Sequence, residues 1–251
     1  LYLLWPYLWE NPFQNFLHSF TQLSNLSYTF YTLYMGEFIN TKYLPWHYFF
    51  VWFCISTPPV FLFLIIYSSF YIIIDRLKNF LSNINDKTFL LWKNNCEMNE
   101  IFIFSIFIIP VLLTIFINST LYNGWRHFYF VYPSLVFLSI KTIDILPINF
   151  DRFFRKSIIF LLLVQLGFSI NFIIRAHPIQ SVYFNDLSKK IVIDRFVYDY
   201  WGVGNKISIE KLINDEGNRK PVKVATASFT NLNNTKLFIK KNMREDFLFL
   251  G

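Results

Sequence analysis

Four long apolar runs separated by polar segments dominate the hydropathy pattern of the chain. They extend from about His47 to Ile74, from Ile101 to Leu121, from Phe128 to Ile145 and from Ile158 to Ile174. Each is long enough to approach the roughly 17 to 25 residues that a helix needs to cross a bilayer core. Charged residues inside the runs are limited to Lys141 and Asp144 near the end of the third, which we interpret as boundary residues. The pattern therefore predicts four transmembrane helices.

The segment from residue 11 to residue 26 has a helical periodicity of its own. Asn11 is the predicted N-cap and Pro12 the first helical residue. Apolar side chains then recur at helical spacing, at Phe13, Phe16, Leu17, Phe20 and Leu23. We interpret this segment as an amphipathic helix in the membrane interface, with packing on the protein as the alternative. Residues 31 to 50, which follow, are predicted to form a loop rich in aromatic residues.

The polar region after the last run has the pattern of a small α/β domain. A helix is predicted from Ser208 to Asn214 and another in "TKLFIKKNM", with strands in "KPVKVATASF" and "DFLFLG". The predicted fold is thus an all-α polytopic membrane domain followed by a small α/β extracytoplasmic domain. Its parts are residues 1–46, with the end of a preceding span and the interfacial helix, residues 47–174, with four spans, and residues 175–251, expected to be cut short.

Composition and charge support a membrane protein and predict its orientation. Of the 251 residues, 54% are hydrophobic and 22% aromatic, with 32 Phe and only 7 Gly, which soluble domains rarely approach. Loops 75–100 and 141–157 contain eight Lys and Arg, against two in segments 1–46 and 118–127. The positive-inside rule then places both chain ends on the extracytoplasmic side of the membrane, which we expect to be a bacterial plasma membrane. The net charge of +7 suits anionic lipid headgroups or a solvated face, and we predict no nucleic-acid partner.

Two predicted outer loops each place a His and a Trp where an apolar run begins. "KYLPWHYFFVW" contains Tyr43, Trp46 and His47, and "NGWRHFYF" contains Trp125, Arg126 and His127. An imidazole can contact a phosphate or move a proton, and a guanidinium can bind a phosphate at two points. If the two segments are adjacent, they form a cationic, aromatic-lined site for a lipid phosphate. The alternatives are an interfacial aromatic belt and an arginine that snorkels to the headgroups.

Several longer stretches carry a resemblance to a known family. They are "WPYLWENP", "GEFINTKYLPWHYFFVWFCISTP", "NGWRHFYFVYPSLVFLS", "AHPIQSVYFN" and "YDYWG", which cover most of residues 1 to 206. In this order they resemble the C-terminal half of GT-C superfamily polyprenyl-phosphate-dependent glycosyltransferases, in the group of protein O-mannosyltransferases and the aminoarabinose lipid A transferase. The chain begins at Leu1, and "LYLLWPYLW" is similar to the tail of a preceding apolar segment. We therefore expect a fragment of a longer protein.

The resemblance implies sugar transfer from a polyprenyl-phosphate donor to an acceptor on the outer face of the membrane. The family's acidic base lies in an earlier outer loop that this chain lacks, so no catalytic base is assigned and the chain alone is expected to be inactive. His47, Arg126 and His127 are the expected phosphate ligands. Tyr43, Trp46 and Trp125 are expected along the lipid or sugar path, and Glu37, His177 and Tyr198 on the acceptor side. Neither a metal site nor another cofactor is predicted, because His18, His47, His127 and His177 are scattered along the chain.

Two other interpretations remain open from the sequence. The chain is alternatively a non-catalytic transporter or assembly subunit whose aromatic loops bind lipid or a partner. Ionisable residues deep in the membrane usually mark transport pathways, and the interiors of the four runs have few of them. The other interpretation is a degenerate gene product that folds poorly and has no activity.

Overall fold

The computed structural model describes residues 4–24, 30–84, 91–149, 152–216, 221–225 and 232–250. These residues are mostly helical, and their sheets are small. The chain divides into two compact units. The first comprises Leu1–Phe168 and Phe184–Phe196, and the second comprises Ser169–Tyr183 and Val197–Gly251.

The first long element is helix α1, Pro12–Ser24, which follows a 3₁₀ turn at Pro6–Leu8. Pro12 is the first helical residue, as predicted, and the carbonyl of Asn11 accepts the first helical hydrogen bond from the Asn15 N–H at 2.8 Å. The apolar face is exposed at Phe13, Phe16, Leu17 and Phe20. The side chain of Leu23 and residues 25 and 26 of the predicted segment lie outside the described residues. An exposed apolar face is what an interfacial helix presents to lipid.

Residues 31 to 40 form a β-hairpin, and the expectation of a loop is wrong there. Strands β1, Tyr31–Tyr34, and β2, Glu37–Asn40, pair antiparallel with Tyr34 opposite Glu37. The two turn residues have positive φ, 56° at Met35 and 94° at Gly36. This is the conformation of a type I′ turn, whose twist matches that of paired strands. The Gly36 N–H donates to the Arg195 carbonyl at 2.9 Å and links the turn to the 184–196 segment of the same unit.

Among the described residues, four helices are long and apolar enough to cross a membrane, as predicted. Helix α2 is Tyr48–Ser56, and it is followed by α3, Pro59–Ile84, α4, Asn95–Phe116, α5, Tyr132–Asn149, and α6, Arg152–Arg175. The candidate spans are Pro59–Ser82, Asn95–Phe116, Arg126–Leu146 and Lys156–Arg175, of which the third includes a 3₁₀ turn at Arg126–Val131. The two sides of the membrane remain a prediction.

The predicted start of the first span at His47 is wrong, because the run consists of two helices. Thr57, with φ −97° and ψ 134°, is extended and separates α2 from α3. A proline disfavours helical geometry in the residue before it, so Pro58 ends α2. Pro59 then begins α3 at the first helical position, where its missing N–H is not needed. Helix α2 is therefore a separate element of nine residues, and the predicted site residue His47 directly precedes it.

A short segment far along the chain binds the free carbonyls at the end of α2. The side-chain amide of Asn185 donates to the carbonyls of Cys54 at 2.6 Å and Thr57 at 2.8 Å. The Asn185 N–H and the Ser188 hydroxyl both donate to the Ile55 carbonyl, at 2.9 Å each. Asn185 and Ser188 are buried, and helix α7, Lys189–Val192, follows them. This clamp satisfies polar groups that would otherwise be costly to bury.

A buried group of charges joins three of the candidate spans. The Arg76 guanidinium of α3 forms ion pairs with Glu97 and Glu100 of α4, the latter at 3.2 Å. The Lys141 ammonium of α5 lies 2.6 Å from the other Glu100 oxygen. The sequence placed Arg76 and Glu100 in a loop and Lys141 at a helix end, but all three lie inside helices. Their pairing makes burial tolerable, because each charge has a partner of opposite sign.

The second unit contains the predicted mixture of short helices and strands. Helix α8 is Val203–Asp215, β3 is Val222–Val224, α9 is Leu232–Phe238 and β4 is Phe247–Phe249. Strands β3 and β4 pair in parallel, and Ile209, Ile213, Leu232, Ile239 and Phe247 form the core. Helix α8 begins five residues before the predicted Ser208, since Gly202 has φ 65° and the Asp199 carboxylate accepts from the Gly204 N–H at 2.5 Å. Residues 220 and 226–229 of the predicted strand lie outside the described residues.

Removing the Asn185 amide should destabilise the first unit. Asn185→Ala leaves the buried Thr57 carbonyl and the part-buried Cys54 carbonyl without this donor. A buried acceptor left unpaired costs about 1–3 kcal/mol. We expect a clearly lower apparent melting temperature of the detergent-solubilised protein. Asp186→Asn, at the exposed neighbouring position, is the control and should change it little. Equal melting temperatures for the two variants would show that the clamp does not support the fold.

Neutralising Glu100 should also destabilise the first unit. Glu100→Gln leaves the partly exposed Lys141 ammonium without its carboxylate partner. Breaking a fully buried pair costs about 3–5 kcal/mol, so the loss here should be somewhat smaller. Adding Lys141→Met removes the uncompensated charge, so the double variant should recover part of the loss. The exposed Glu10→Gln is the control. A double variant that is less stable than Glu100→Gln alone would contradict this electrostatic account.

Candidate functional site

The two segments predicted to share a site pack against each other in the first unit. The Phe49 ring of α2 lies 4.7 Å from the Phe128 ring, between centroids. Trp125 packs edge-on against Phe53 at 5.3 Å, and its indole N–H donates to the Ser56 hydroxyl at 2.7 Å. These contacts hold the beginning of α2 beside the 3₁₀ turn that leads into α5. The two helix ends are therefore adjacent.

Gly124 permits this close approach. Its φ of 78° lies in the left-handed region, and a Cβ there would lie 3.5 Å from the Trp52 ring. The Gly124 N–H donates to the Tyr48 hydroxyl at 3.3 Å, so backbone and side chain meet directly. Any larger residue would strain the backbone at this position. The glycine thus fixes the segment before Arg126 against α2.

His47 is oriented by a tyrosine that the sequence interpretation did not assign to the site. The hydroxyl of Tyr34, at the end of β1, lies 2.7 Å from His47 Nδ1. Burial of Tyr34, reinforced by the neighbouring Tyr48, raises the pKa of its hydroxyl well above the ordinary value, so the group remains a donor at neutral pH. When the Tyr34 hydroxyl donates to Nδ1, a neutral His47 carries its proton on Nε2. The half-buried imidazole can therefore present an N–H donor to an anion.

Two tyrosines connect His47 with the segment that contains Arg126. The rings of Tyr34 and Tyr48 lie 5.0 Å apart, and the Tyr48 hydroxyl accepts from Gly124. Burial raises the pKa of Tyr48 to about 12, while the Gly124 hydrogen bond and the Arg126 charge act in the opposite direction. Arg126 is thus close enough to act electrostatically on this hydroxyl. The sequence interpretation treated Tyr48 as an interfacial aromatic residue.

Arg126 and His127 share one aromatic partner. The guanidinium carbon of Arg126 lies 4.7 Å from the centroid of the Tyr122 ring, which is a cation–π arrangement. The His127 ring lies 4.8 Å from the same Tyr122 ring and is exposed. Tyr122 was not assigned from the sequence, although its spacing of four residues before Arg126 placed it in the same loop. It restricts the guanidinium to one side of the segment.

The three aromatic residues assigned to the lipid or sugar path lie in different environments. Trp125 is only 5% exposed and belongs to the core, whereas Trp46 is 68% and Tyr43 75% exposed. Trp46 packs edge-on against His47 with centroids 5.5 Å apart. Trp46 and Tyr43 can therefore contact a ligand or lipid directly. The contacts of Trp125 give it a packing function.

The residues assigned to the acceptor side belong to different units. Glu37 begins β2 of the first unit and is exposed. His177 and Tyr198 belong to the second unit and are also exposed. His177 Nδ1 lies 2.8 Å from the Gln180 side-chain nitrogen. Their function stays a prediction.

A small pocket of about 60 Å³ lies beside the His47 segment. One wall is formed by residues between Lys42 and Phe49, including Trp46, and the other by Thr114, Ile115, Asn118 and Ser119. Thr114, Asn118 and Ser119 lie within the predicted apolar run that ends at Leu121, so the hydropathy pattern did not single them out. Lys42 and Asn118 are exposed at the pocket.

Taken together, these side chains can bind an anion but do not supply a complete acid–base site. Arg126 provides a fixed positive charge and His47 a directed N–H donor. Within the described residues, no three His, Cys, Asp or Glu side chains are grouped so that they could hold a metal ion. The arrangement suits a ligand that joins a phosphate to an apolar tail.

In comparisons with protein-family models, with curated proteins and with solved structures, the chain has no match.

Proposed function

We propose that the chain is part of a membrane glycosyltransferase that transfers a sugar from a polyprenyl-phosphate donor to an acceptor on the outer face of the membrane. The observation that supports it is the packing of the Tyr34–His47 pair, through Tyr48, against the segment that contains Arg126, where the third candidate span begins. A polyprenyl phosphate needs cationic and N–H groups for its phosphate and an apolar surface for its tail. The resemblance to GT-C glycosyltransferases implies the same ligand.

The proposed reaction is an inverting displacement at the anomeric carbon of the donor sugar. The acceptor oxygen forms a bond to this carbon while the bond to the phosphate oxygen breaks, and the phosphate leaves with the electron pair. Arg126 stabilises the negative charge on the departing phosphate, and the Nε2–H of His47 donates a hydrogen bond to it. The group that takes the acceptor proton is not assigned to any described residue of this chain. The chain therefore contributes binding and charge stabilisation.

His127 and Tyr43 extend this proposal at the edges of the site. His127 is exposed next to Arg126 and can contact the outer phosphate oxygens when the donor is bound. Tyr43 is exposed on the His47 side and can contact the first isoprene units of the tail. Trp125 packs against Phe49 and Phe53 and so supports the segments that contain His47 and Arg126.

The buried charges favour a transport function as the second candidate. Ionisable residues inside membrane spans often line ion or substrate pathways. Arg76, Glu100 and Lys141 lie inside candidate spans, but they pair with each other and with Glu97. Mutual pairing is also what a purely structural cluster requires. Solute uptake that is lost in Glu100→Gln, measured beside an unchanged amount of folded protein, would favour transport.

Replacing Arg126 should strongly reduce sugar transfer. Removal of a charge-stabilising group from such a site costs about 10²–10³ in rate, so we expect a loss of this size in Arg126→Ala. Arg126→Lys keeps the positive charge but loses the two-point geometry. Its transfer rate should therefore lie between those of the original protein and Arg126→Ala. The measurement is transfer of labelled sugar from a polyprenyl-phosphate donor by the full-length protein in proteoliposomes. The exposed Arg195→Ala is the control, and unchanged transfer in Arg126→Ala would remove Arg126 from the site.

Removing the Tyr34 hydroxyl should reduce transfer through its effect on His47. Tyr34→Phe deletes the hydrogen bond to Nδ1 at 2.7 Å, which is worth about 1 kcal/mol, so we expect several-fold slower transfer. In a His47→Ala background the same change should have no further effect, because the imidazole that it orients is gone. Tyr31→Phe, in the same strand and exposed, is the control. Fully additive effects of Tyr34→Phe and His47→Ala would refute the positioning function.

A further inference from the structure

The pocket between the Lys42–Phe49 segment and the end of α4 combines an exposed indole with three hydrogen-bonding side chains. Its apolar floor consists of Leu44, Pro45, Phe49 and Ile115. Lys42, Asn118 and Ser119 supply an ammonium, an amide and a hydroxyl, and Trp46 lies at the exposed edge. Both walls belong to the first unit. The pocket is distinct from the Tyr34–His47 hydrogen bond but shares the segment that holds it.

The polar wall is built by the way in which α4 ends. Asn118 has φ 53°, its N–H donates to the Ile115 carbonyl at 3.3 Å, and the Ser119 N–H donates to the Thr114 carbonyl at 3.0 Å. This is a Schellman ending, in which the last carbonyls of the helix are satisfied by the backbone. Asn118 and Ser119 therefore do not need their side chains to end the helix. Those side chains remain available to a ligand.

The composition of the pocket favours a neutral, hydroxyl-rich ligand over an anion or a lipid tail. An anion would meet one ammonium, that of Lys42, at the C-terminal end of α4, where the helix dipole disfavours negative charge. A lipid tail would strip water from Lys42, Asn118 and Ser119 without replacing their hydrogen bonds. A sugar ring has an apolar C–H face for an indole and hydroxyl groups that both donate and accept. It matches each type of group in the pocket.

We propose that this pocket binds one edge of a hexopyranose ring, whose remainder lies outside the volume of about 60 Å³, with Trp46 as the surface on which the ring packs. Asn118, Ser119 and Lys42 bind its hydroxyl groups. The inference rests on the proposed function only for the source of the sugar, which is either the lipid-linked donor or the acceptor. Binding of a free glycoside does not require transfer and tests the pocket separately.

Binding of simple glycosides to the chain in lipid nanodiscs is the test. Saturation-transfer NMR with methyl α-D-mannopyranoside and methyl β-D-glucopyranoside should show transfer to the ring protons of at least one of them. Trp46→Ala should weaken this binding about tenfold or more, as truncation of a central aromatic contact usually does. Trp46→Phe should keep most of it, and the double variant Asn118→Ala with Ser119→Ala should reduce it. Phe38→Ala, an exposed aromatic in the hairpin outside the pocket, is the control.

Each outcome of this experiment decides the question. Equal signals for the original protein, Trp46→Ala and Phe38→Ala would overturn the subsite, as would binding of inorganic phosphate at the pocket in place of the glycosides. Competition of the glycoside with a short-chain polyprenyl-phosphate hexose assigns the subsite to the donor sugar, and binding without competition assigns it to the acceptor. Glycoside binding together with no sugar transfer in the proteoliposome assay described above would leave the subsite valid and refute the proposed function. Sugar transfer without glycoside binding would overturn the subsite and leave the proposed function valid.

Discussion

The first unit depends on how the carbonyls at the end of α2 are satisfied. Pro58 ends this helix early, and a short helix that ends next to a span exposes carbonyls where water is scarce. Asn185 and Ser188 donate to three of them from a segment more than a hundred residues further along the chain. The position of α2, and with it that of His47 and Trp46, is thus set by a contact between α2 and the 184–196 segment of the first unit. Asn185, the last residue of "VYFN", contributes through the hydrogen bonds of its side-chain amide.

The sequence predicts the long elements well because their signals are local. The length of each apolar run predicts a span, and proline at the first helical position predicts the start of α1. Pro58 and Pro59 predict a bend or kink within one span, but the full division at Thr57 was missed because the apolar run continues across it without a polar break. The hairpin was missed because Met35 and Gly36 differ from the usual turn pairs and the strands lack regular alternation. In both cases the backbone conformation of one or two residues decided the local structure, and the hydropathy pattern carries no information on backbone conformation.

The site is less predictable, because its main contacts are between elements. His47 and Arg126 could be selected from residue type, but Tyr34 and Tyr48 resembled ordinary interfacial aromatics until the hairpin was placed beside α2. The ion pairs of Arg76, Glu100 and Lys141 could not be predicted either, since they depend on which helices are neighbours. Lengths and ends of helices follow from nearby residues. Pairing between distant charges follows from the packing of the whole unit.

The position of Tyr34 next to the hairpin turn has a consequence for surface variation. Tyr34 is the last residue of β1, and Met35 begins the turn immediately after it. The handedness of this exposed turn therefore sets the direction from which the tyrosine hydroxyl reaches the imidazole. Insertions are tolerated in most solvent-facing turns, but here one added residue would rotate the strand end and misalign the part-buried hydrogen bond between Tyr34 and His47. The length of a surface turn is in this way restricted by the geometry of a histidine that it does not touch.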